Sequence, residues 1–414
     1  MAAKTIEIIY FDAGGGHRNA MHALSRLLAE QHPDWRIVPV DLQQLLEPID
    51  PVNRLTRRLN GSLRRLLPAA PNIRLANWQA QDIYNSALKR GTTHGLGTIL
   101  PVLQGFVRRY SPEIERLLVD RWRDPQTARP DLVLSVIPNF NRVMFCALRA
   151  FAADIPYATV ITDMVDYPPH FWMEDQDQVI ICGTPKAAKQ ARATGFYAED
   201  RIFEVSGMIL KESFYRPAPP DGPRLSQLGL VDGKPTALIM FGGNGSFRAT
   251  QTILGQFEKA RLDVQTIVMC GNNRRLLESL KNRPGCHAIG FVNNVADYMR
   301  IADFFIGKPG PGSLSEAVHM GCPVIVERNA STLPQERANV EWVRDNGLGI
   351  VVRGFRVDIA AAGERMLRDL DSFRTNIAAN ITENRAVFEI ADIVQRILKV
   401  PHARSSSTER ALER

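Results

Sequence analysis

Short apolar runs alternate with longer helical patterns along most of the chain, and this alternation constrains the fold more than any other feature. The first series of runs is IEIIYF (6–11), RIVPVD (36–41), LVLSVI (132–137), YATVIT (157–162) and QVIIC (178–182). The second series is TALIMF (236–241), VQTIVMC (264–270), HAIGFV (287–292), DFFIG (303–307) and PVIVE (323–327). Apolar strands separated by helices are typical of βαβ units with buried parallel sheets. Two series predict an α/β chain of two Rossmann-like, doubly wound domains.

The boundary between the two series is marked by a proline-rich stretch, RPAPPDGP (216–223). Proline has no backbone N–H for a sheet and breaks a helix interior, so this stretch predicts a linker. The predicted division is an N-terminal domain over 1–215, a linker over 216–233 and a C-terminal domain over 234–375. The last helices, 376–400, are candidates for return to the N-terminal domain, and the polar end, 401–414, is expected to be a flexible tail.

Charge and cysteine usage narrow the class of protein. The chain of 414 residues has 51 Lys and Arg against 44 Asp and Glu, a net charge of +7 that favours anionic partners. The five cysteines include no pair with the spacing of a zinc or redox motif, so we expect reduced thiols and a cytoplasmic location. No apolar stretch reaches the ~20 residues of a membrane span, so membrane contact would be peripheral.

The first glycine-rich loop is FDAGGGH (11–17), which follows the first strand and precedes a helical pattern. Glycines at Gly14, Gly15 and Gly16 let the backbone approach a ligand, and the next helix offers free N–H groups. His17 titrates near neutral pH and could take a proton from an acceptor hydroxyl. The alternative is a tight turn followed by a histidine without a function.

Two more loops of this kind follow strands of the second series. FGGNGS (241–246) and KPGPGS (308–313) could each place N–H groups against a diphosphate. Glu316, in the helix after the second loop, could accept hydrogen bonds from both hydroxyls of a ribose, or it could only complement the helix dipole. The loop TLPQERAN (332–339) brings Gln335, Glu336 and Asn339 together, either to recognise sugar hydroxyls or as capping residues on a surface loop.

These motifs resemble those of nucleotide-sugar glycosyltransferases with two Rossmann domains facing across a cleft, the GT-B type. The similarity is strongest to monogalactosyldiacylglycerol synthases and processive diacylglycerol glucosyltransferases. It is more distant to the enzyme that adds N-acetylglucosamine to the lipid-linked peptidoglycan precursor. The motifs that carry it are FDAGGGHRNA (11–20), FGGNGS (241–246), GFVNNVADYM (290–299) and the long block 308–349.

The resemblance implies an inverting transfer of a hexose from a UDP-sugar to a diacylglycerol-type lipid. His17 would be the base or a phosphate contact, with Asp12 beside it as a second candidate for the base. The donor would be bound by residues of the C-terminal domain, namely Gly242, Gly243, Gly245, Phe291, Val292, Pro311, Gly312, Ser313, Glu316, Gln335, Glu336 and Asn339. Pro334 stands where the family often has glycine, and the segment 162–172 matches the family only loosely.

No metal or other cofactor is implied. The sequence DQD (175–177) superficially matches the Asp-x-Asp signature of metal-dependent glycosyltransferases, but it lies in a charged stretch before a strand. The GT-B architecture stabilises the leaving diphosphate with helix dipoles and side chains instead.

A basic, acid-free stretch, 51–81, suggests contact with an anionic membrane surface. Its leucines and valine step by three or four residues, which places them on one helical face, and its basic side chains include Arg54, Arg57, Arg58, Arg64 and Arg65. The alternative is an amphipathic helix packed on the core with a solvated basic face. No recognised nucleic-acid module appears, so nucleic acid is not expected as a partner.

Three other functions remain open at this stage. The acceptor could be a polyprenyl-linked or other molecule, the protein could be a UDP-sugar epimerase, or it could bind lipid or nucleotide without catalysis. An epimerase would turn over UDP-sugar without any lipid, and the intact 11–17 and 334–336 segments favour an enzyme over a binding protein.

Overall fold

The computed structural model describes residues 3–11, 15–49, 104–105, 107–329 and 332–399. Twelve strands in these residues form two six-stranded sheets, and every strand pair is parallel. Helices cover both faces of each sheet, so the prediction of two doubly wound α/β units is confirmed.

The N-terminal lobe is built on the first sheet, whose strand order is β2-β1-β3-β4-β5-β6. Its strands are β1 (Thr5–Tyr10), β2 (Arg36–Asp41), β3 (Leu132–Ser135), β4 (Tyr157–Ile161), β5 (Val179–Cys182) and β6 (Ile202–Glu204). The helices described in this part of the chain are α1 (Gly16–Gln31), α2 (Leu42–Leu46), α3 (Ser111–Arg123), α4 (Asn141–Phe151) and α5 (Pro185–Thr194).

The C-terminal lobe is built on the second sheet, whose strand order is β12-β11-β10-β7-β8-β9. Its strands are β7 (Thr236–Met240), β8 (Gln265–Gly271), β9 (Cys286–Gly290), β10 (Phe304–Gly307), β11 (Val324–Glu327) and β12 (Gly349–Val352). Its helices are α6 (Phe247–Lys259), α7 (Arg274–Leu280), α8 (Val295–Arg300), α9 (Pro311–His319), α10 (Arg337–Asp345), α11 (Phe355–Arg368) and α12 (Leu370–Asn380). This order is that of a dinucleotide-binding Rossmann sheet, in which strands are added first on one side of β7 and then, from β10 onward, on its other side.

Local sequence fixes where several helices begin. The Thr184 hydroxyl accepts a hydrogen bond from the Ala187 N–H at the start of α5, and the Ser246 side chain caps α6 through the Ala249 N–H. Such caps satisfy N–H groups that a helix start otherwise leaves free. The helix α1 has a glycine before it instead, Gly15, with a φ of +86°. A non-glycine residue would be strained there.

The last helix, α13 (Ala386–Lys399), returns to the N-terminal lobe. Its apolar face, including Ile390 and Val394, joins the same core as Leu24 and Leu28 of α1. The Glu389 carboxylate accepts hydrogen bonds from the backbone N–H and the hydroxyl of Ser206 at 2.7 and 3.0 Å. The chain therefore crosses between the lobes a second time just before this helix.

Two strands that the sequence analysis did not predict extend the sheets. The strand β6 has three residues and lies at an edge of the first sheet, and β12 follows a turn through Gly347 and forms an edge of the second. Among the described residues, no helix has the length and apolar character needed to cross a membrane. The bounds predicted for the domains and linker stay predictions.

Candidate functional site

The predicted donor loops with glycine lie at the carboxyl ends of β7 and β10, the two neighbouring strands at which the strand order of the second sheet reverses. The loop with Gly242, Gly243 and Gly245 follows β7, and the loop from Lys308 to Gly310 follows β10. In open α/β sheets, the crevice outside the carboxyl ends of two such strands is the usual place for a ligand. The fold thus brings together two loops that are more than 60 residues apart in sequence.

The first of these loops is closely packed against the end of β8. Gly245 has a φ of +57°, and a Cβ placed there would lie 2.5 Å from the Cys270 carbonyl oxygen. Gly271 has a φ of +55°, and a Cβ there would overlap the Gly243 carbonyl oxygen. The Asn272 N–H donates to that same carbonyl at 2.8 Å. Side chains are therefore excluded from both positions.

Two helices begin at this crevice. The helix α6 begins directly after the first loop, and α9 begins at Pro311, followed by Gly312 and Ser313. A Cβ on Gly242 or Gly312 would meet no atom of the described residues within 4 Å, so open space adjoins both positions. Helix starts present free N–H groups and a partial positive charge, which suit a phosphate.

Glu316 lies one turn into α9 and is half-buried. Burial raises the pKa of its carboxyl group to about 7, and the positive charge of Lys211 acts in the opposite direction. Among the described residues its carboxyl oxygens have no hydrogen-bond partner. It is therefore a desolvated acceptor without a partner in the protein, as a ribose-binding residue would be before its ligand arrives.

A short 3₁₀ turn, Pro334–Glu336, carries the predicted sugar-reading pair. Gln335 is half-buried and Glu336 is buried, with Lys308 Nζ 3.8 Å from its Oε1 atom. Asn339 is completely buried, and its amide donates to the Pro309 carbonyl at 2.8 Å. Asn339 thus fixes the loop before α9, while Glu336 and Gln335 remain near the crevice.

Phe291 and Val292 follow β9 at the same edge of the sheet. Phe291 is 53% exposed, which is unusual for a large apolar side chain, whereas Val292 is half-buried. The exposed ring lines a cavity of about 500 Å³ together with Lys211, Asn293 and residues of α1. The exposed ring and this space would suit a planar ligand group.

His17 lies at the carboxyl end of β1, in the first turn of α1, and its imidazole is half-buried. Its Nδ1 atom lies 2.8 Å from the Val136 carbonyl oxygen and 3.0 Å from the Thr162 hydroxyl oxygen. A carbonyl can only accept, so Nδ1 carries the proton and Nε2 keeps a free lone pair. Burial lowers the pKa of His17 to about 4, so the ring is neutral at physiological pH.

The segment after β4 places a carboxyl group near His17 that the sequence analysis did not assign. The Trp172 indole N–H donates to Asp163 Oδ2 at 3.0 Å, and the centres of the Trp172 and His17 rings are 6.0 Å apart. Asp166 accepts from the Trp172 and His170 backbone N–H groups at 2.7 and 3.1 Å, which holds the segment in place. The sequence feature that could have indicated Asp163 as a site residue is its position directly after the predicted strand 157–162.

The two lobes face each other at these residues. Burial raises the pKa of Asp163 to about 7, and the negative charge of Glu336, from the other lobe, acts in the same direction. An ion pair between Lys186 of α5 and Glu341 of α10, 3.5 Å apart, also joins the lobes. The His17 region and the donor loops therefore border one cleft.

Some of the predicted residues lie outside the described part of the chain. They are Asp12, Gly14, Arg54, Arg57, Arg58, Arg64 and Arg65. Gly15 and Gly16 are described, and a Cβ on either would meet no described atom within 4 Å. Within the described ranges, no group of three or more His, Cys, Asp or Glu side chains is arranged to hold a metal ion.

Residues 237–397 match a known family, described as the glycosyltransferase family 28 C-terminal domain. A probable chloroplastic monogalactosyldiacylglycerol synthase from Nicotiana tabacum is 28% identical over 363 residues, covering 84% of this chain and 61% of that protein. Monogalactosyldiacylglycerol synthase 1 from Arabidopsis thaliana is 26% identical, covering 84% of this chain and 62% of that protein. The match thus spans about three fifths of the length of these relatives.

Solved structures with low sequence identity share the fold over nearly the whole chain. MurG from Acinetobacter baumannii is similar with a TM-score of 0.55 at 13% identity, covering 95% of this chain and 99% of that chain. The calicheamicin glycosyltransferase CalG4 has a TM-score of 0.58 at 16% identity, covering 96% and 99%. A putative UDP-N-acetylglucosamine 2-epimerase from Listeria monocytogenes has a TM-score of 0.55 at 15% identity, covering 96% of each chain. The chain therefore has the GT-B fold, as predicted.

Proposed function

We propose that this chain, which has the GT-B fold and carries a glycosyltransferase family 28 C-terminal domain, transfers a hexose from a UDP-sugar to a diacylglycerol-type lipid. The observation that supports this most is the crevice at the ends of β7 and β10, where two glycine loops, two helix starts and Glu316 surround open space. The names of the relatives support the choice of lipid.

The donor would lie across the C-terminal lobe. Its diphosphate would accept hydrogen bonds from N–H groups at the starts of α6 and α9, which also stabilise the departing UDP by their dipoles. The Glu316 carboxylate would accept from the ribose hydroxyls, and the uracil would meet the backbone of Phe291 and Val292. The sugar would reach Gln335 and Glu336, the second of which acts by its charge on Asp163 of the N-terminal lobe.

The chemistry would be a direct displacement at the anomeric carbon. The acceptor oxygen attacks this carbon, the bond from the carbon to the diphosphate oxygen breaks, and the configuration is inverted. His17 fits the base that takes the acceptor proton, because its Nδ1–H is directed to Val136 and its Nε2 lone pair is free. Asp12 is the second candidate, and the proposal includes no metal.

The acceptor would be met at a membrane surface. The basic stretch 51–81, with six arginines and no acidic residue, is suited to anionic headgroups at the periphery of a bilayer.

The test is to identify the product. Lipids from cells that express the protein are analysed by mass spectrometry, and a panel of UDP-sugars is supplied to purified protein with diacylglycerol vesicles. We expect one hexose added to diacylglycerol and UDP released in equal amount, with both lost in the His17→Ala variant. Conversion of UDP-sugar at an equal rate without vesicles would contradict the proposal and indicate an epimerase or hydrolase.

A further inference from the structure

Asp163 is a carboxyl group at the cleft that is fixed through one oxygen and unused at the other. Its Oδ2 accepts from the indole N–H of Trp172, which is completely buried. The other oxygen, Oδ1, has no hydrogen-bond partner among the described residues. A side chain held at one oxygen and free at the other is preorganised to bind something that donates a hydrogen bond.

The opposite wall of the cleft indicates which kind of ligand would donate a hydrogen bond to Oδ1 of Asp163. Glu336 is buried there, and its charge acts on Asp163 across the cleft. Lys308 Nζ lies 3.8 Å from Glu336 Oε1, so the charge of Glu336 is partly balanced, whereas Asp163 has no ion-pair partner among the described residues and would repel a phosphate placed against its free oxygen. A neutral ring with several hydroxyl groups can donate to both, so the chemistry selects a sugar rather than a phosphate.

The loop that carries Asp163 is rigid enough to discriminate between sugars. Asp166 accepts two backbone N–H groups, and the Gln190 amide pairs with the Asp166 backbone in both directions at 3.0 Å. A carboxyl oxygen fixed in this way can accept a hydrogen bond from a sugar hydroxyl at one position, but not from a hydroxyl of the opposite configuration that points elsewhere.

We infer that Asp163 binds a hydroxyl of the donor hexose from the side opposite Glu336, so that both lobes determine which sugar is accepted. This inference rests on the proposed function, because it assigns a role within the same donor site. The family that the sequence resembles often has glycine at the position of Pro334. If Asp163 also contacts the sugar, this difference alone need not determine which donor sugar is accepted.

The test compares UDP, UDP-glucose and UDP-galactose by calorimetry on wild type, Asp163→Asn and Asp175→Asn. Asp175 is an exposed residue of the same lobe and serves as the matched control. In Asp163→Asn the amide oxygen can still accept from Trp172, so an NH₂ group replaces the free acceptor. We expect unchanged affinity for UDP, but loss of about tenfold in affinity for the better UDP-hexose, typical of a hydrogen bond to a charged group.

Turnover adds a second measurement. The ratio of kcat/KM for UDP-galactose to that for UDP-glucose should change by about tenfold in Asp163→Asn. It should change in the same direction in Trp172→Phe, which replaces the indole with a smaller aromatic ring and removes the N–H. UDP-hexose affinity and sugar preference both within twofold of wild type would overturn the inference.

Failure of the proposed function gives a different result. If wild type binds UDP-hexose but makes no glycolipid, the lipid assignment fails while the calorimetric comparison still decides the role of Asp163. If wild type binds neither UDP nor any UDP-hexose, both are overturned.

Discussion

Single side chains at the cleft are defined by the hydrogen bonds that they lack as much as by those that they make. The carboxyl oxygens of Glu316 and Oδ1 of Asp163 are desolvated acceptors without a partner in the described residues, whereas His17 is fixed through one nitrogen only. Groups with shifted pKa values in a cleft are candidates for function. Three predictions follow from them.

Replacing Glu316 by alanine is expected to weaken UDP binding, because two ribose hydroxyls lose a charged acceptor. Such a hydrogen-bonding group contributes about 1.5–3 kcal/mol, which is roughly a tenfold to hundredfold loss in affinity. Calorimetry with UDP measures this. Glu364→Ala, an exposed position on α11, is the control and should bind like wild type. Equal affinities of the two variants would remove Glu316 from the site.

The affinity for UDP-glucose should depend on pH through Glu316. Its pKa of about 7 means that the carboxyl group is largely protonated at pH 6 and accepts ribose hydroxyls fully only above pH 7. Affinity should therefore rise between pH 6 and pH 8. UDP-glucose is the correct probe because it lacks the terminal phosphate whose ionisation near pH 6 would interfere. In Glu316→Gln the part of this rise that Glu316 causes should disappear. A remainder that is lost in Asp163→Asn would belong to Asp163, whose pKa is also about 7. A rise that is unchanged in Glu316→Gln would remove Glu316 as its cause.

His17→Ala should lower turnover by about a hundredfold or more, as expected for loss of a general base, while UDP-sugar affinity stays nearly constant. The pKa of His17 in the protein without ligand is about 4, so titration of His17 should produce no inflection in the rate between pH 6 and pH 8. Steady-state kinetics and calorimetry on the same preparation separate the two effects. Turnover within a few fold of wild type would assign the proton transfer to Asp12 or another group.

At the scale of elements, the donor site depends on a turn in which Gly245 and its neighbour across the turn, Gly271, leave no room for a side chain. The turn between β7 and α6 interlocks with the end of β8, because the backbone of each touches the position where the other would carry a Cβ. The glycines therefore serve two purposes, which are to fold the turn and to leave room for a ligand.

Gly245→Ala is expected to destabilise the C-terminal lobe by about 2–5 kcal/mol, the sum of a left-handed backbone cost and a steric contact in a packed region. Gly229→Ala is the matched control, because Gly229 has a φ of +71° but a Cβ there meets no described atom within 4 Å. Thermal unfolding should show a large loss for the first variant and a loss of only about 1–2 kcal/mol for the second. Equal losses would mean that the contact with Cys270 relaxes easily.

The sequence was sufficient for the long strands and the glycine loops, because apolar runs and glycines act locally. It was not sufficient for β6, since the three residues Ile202–Glu204 are too few to show a pattern. Asp163 and Trp172 were also missed as a pair, because their hydrogen bond depends on how the segment after β4 folds back. Asn339 was expected at the sugar, but its burial under the 308–310 loop could be seen only in three dimensions.

At the scale of the whole molecule, a shared cleft requires that both lobes keep their relative position. The Lys186–Glu341 ion pair spans the cleft but is partly exposed, and such pairs contribute at most about 1 kcal/mol. The packing of α13 on α1 is larger and apolar, so it anchors the end of the C-terminal lobe to the N-terminal one.

Membrane binding is a property of the whole molecule that the basic stretch predicts. Reversing Arg57, Arg58 and Arg65 to Glu should abolish binding to anionic vesicles, since each basic residue near the surface contributes about 1 kcal/mol and each Glu is repelled. Co-sedimentation at low and high salt measures this, and wild-type binding should weaken as salt rises. Calorimetry should show that the variant still binds UDP. A variant that sediments like wild type would mean that the membrane is contacted elsewhere.

The return of α13 makes the C-terminal lobe an insert within the N-terminal one. Two separate crossings join the lobes, one through the proline-rich stretch 216–223 and the other through residues 381–385, directly before α13. Two connections allow one lobe to hinge against the other about the line that joins them, but they resist twisting of one lobe relative to the other. The same arrangement makes the donor-binding lobe exchangeable as a cassette with two junctions. A related lobe grafted between 216 and 385 would keep α13 in place, and the sugar that is accepted would then depend on the new lobe together with Asp163 of the retained one.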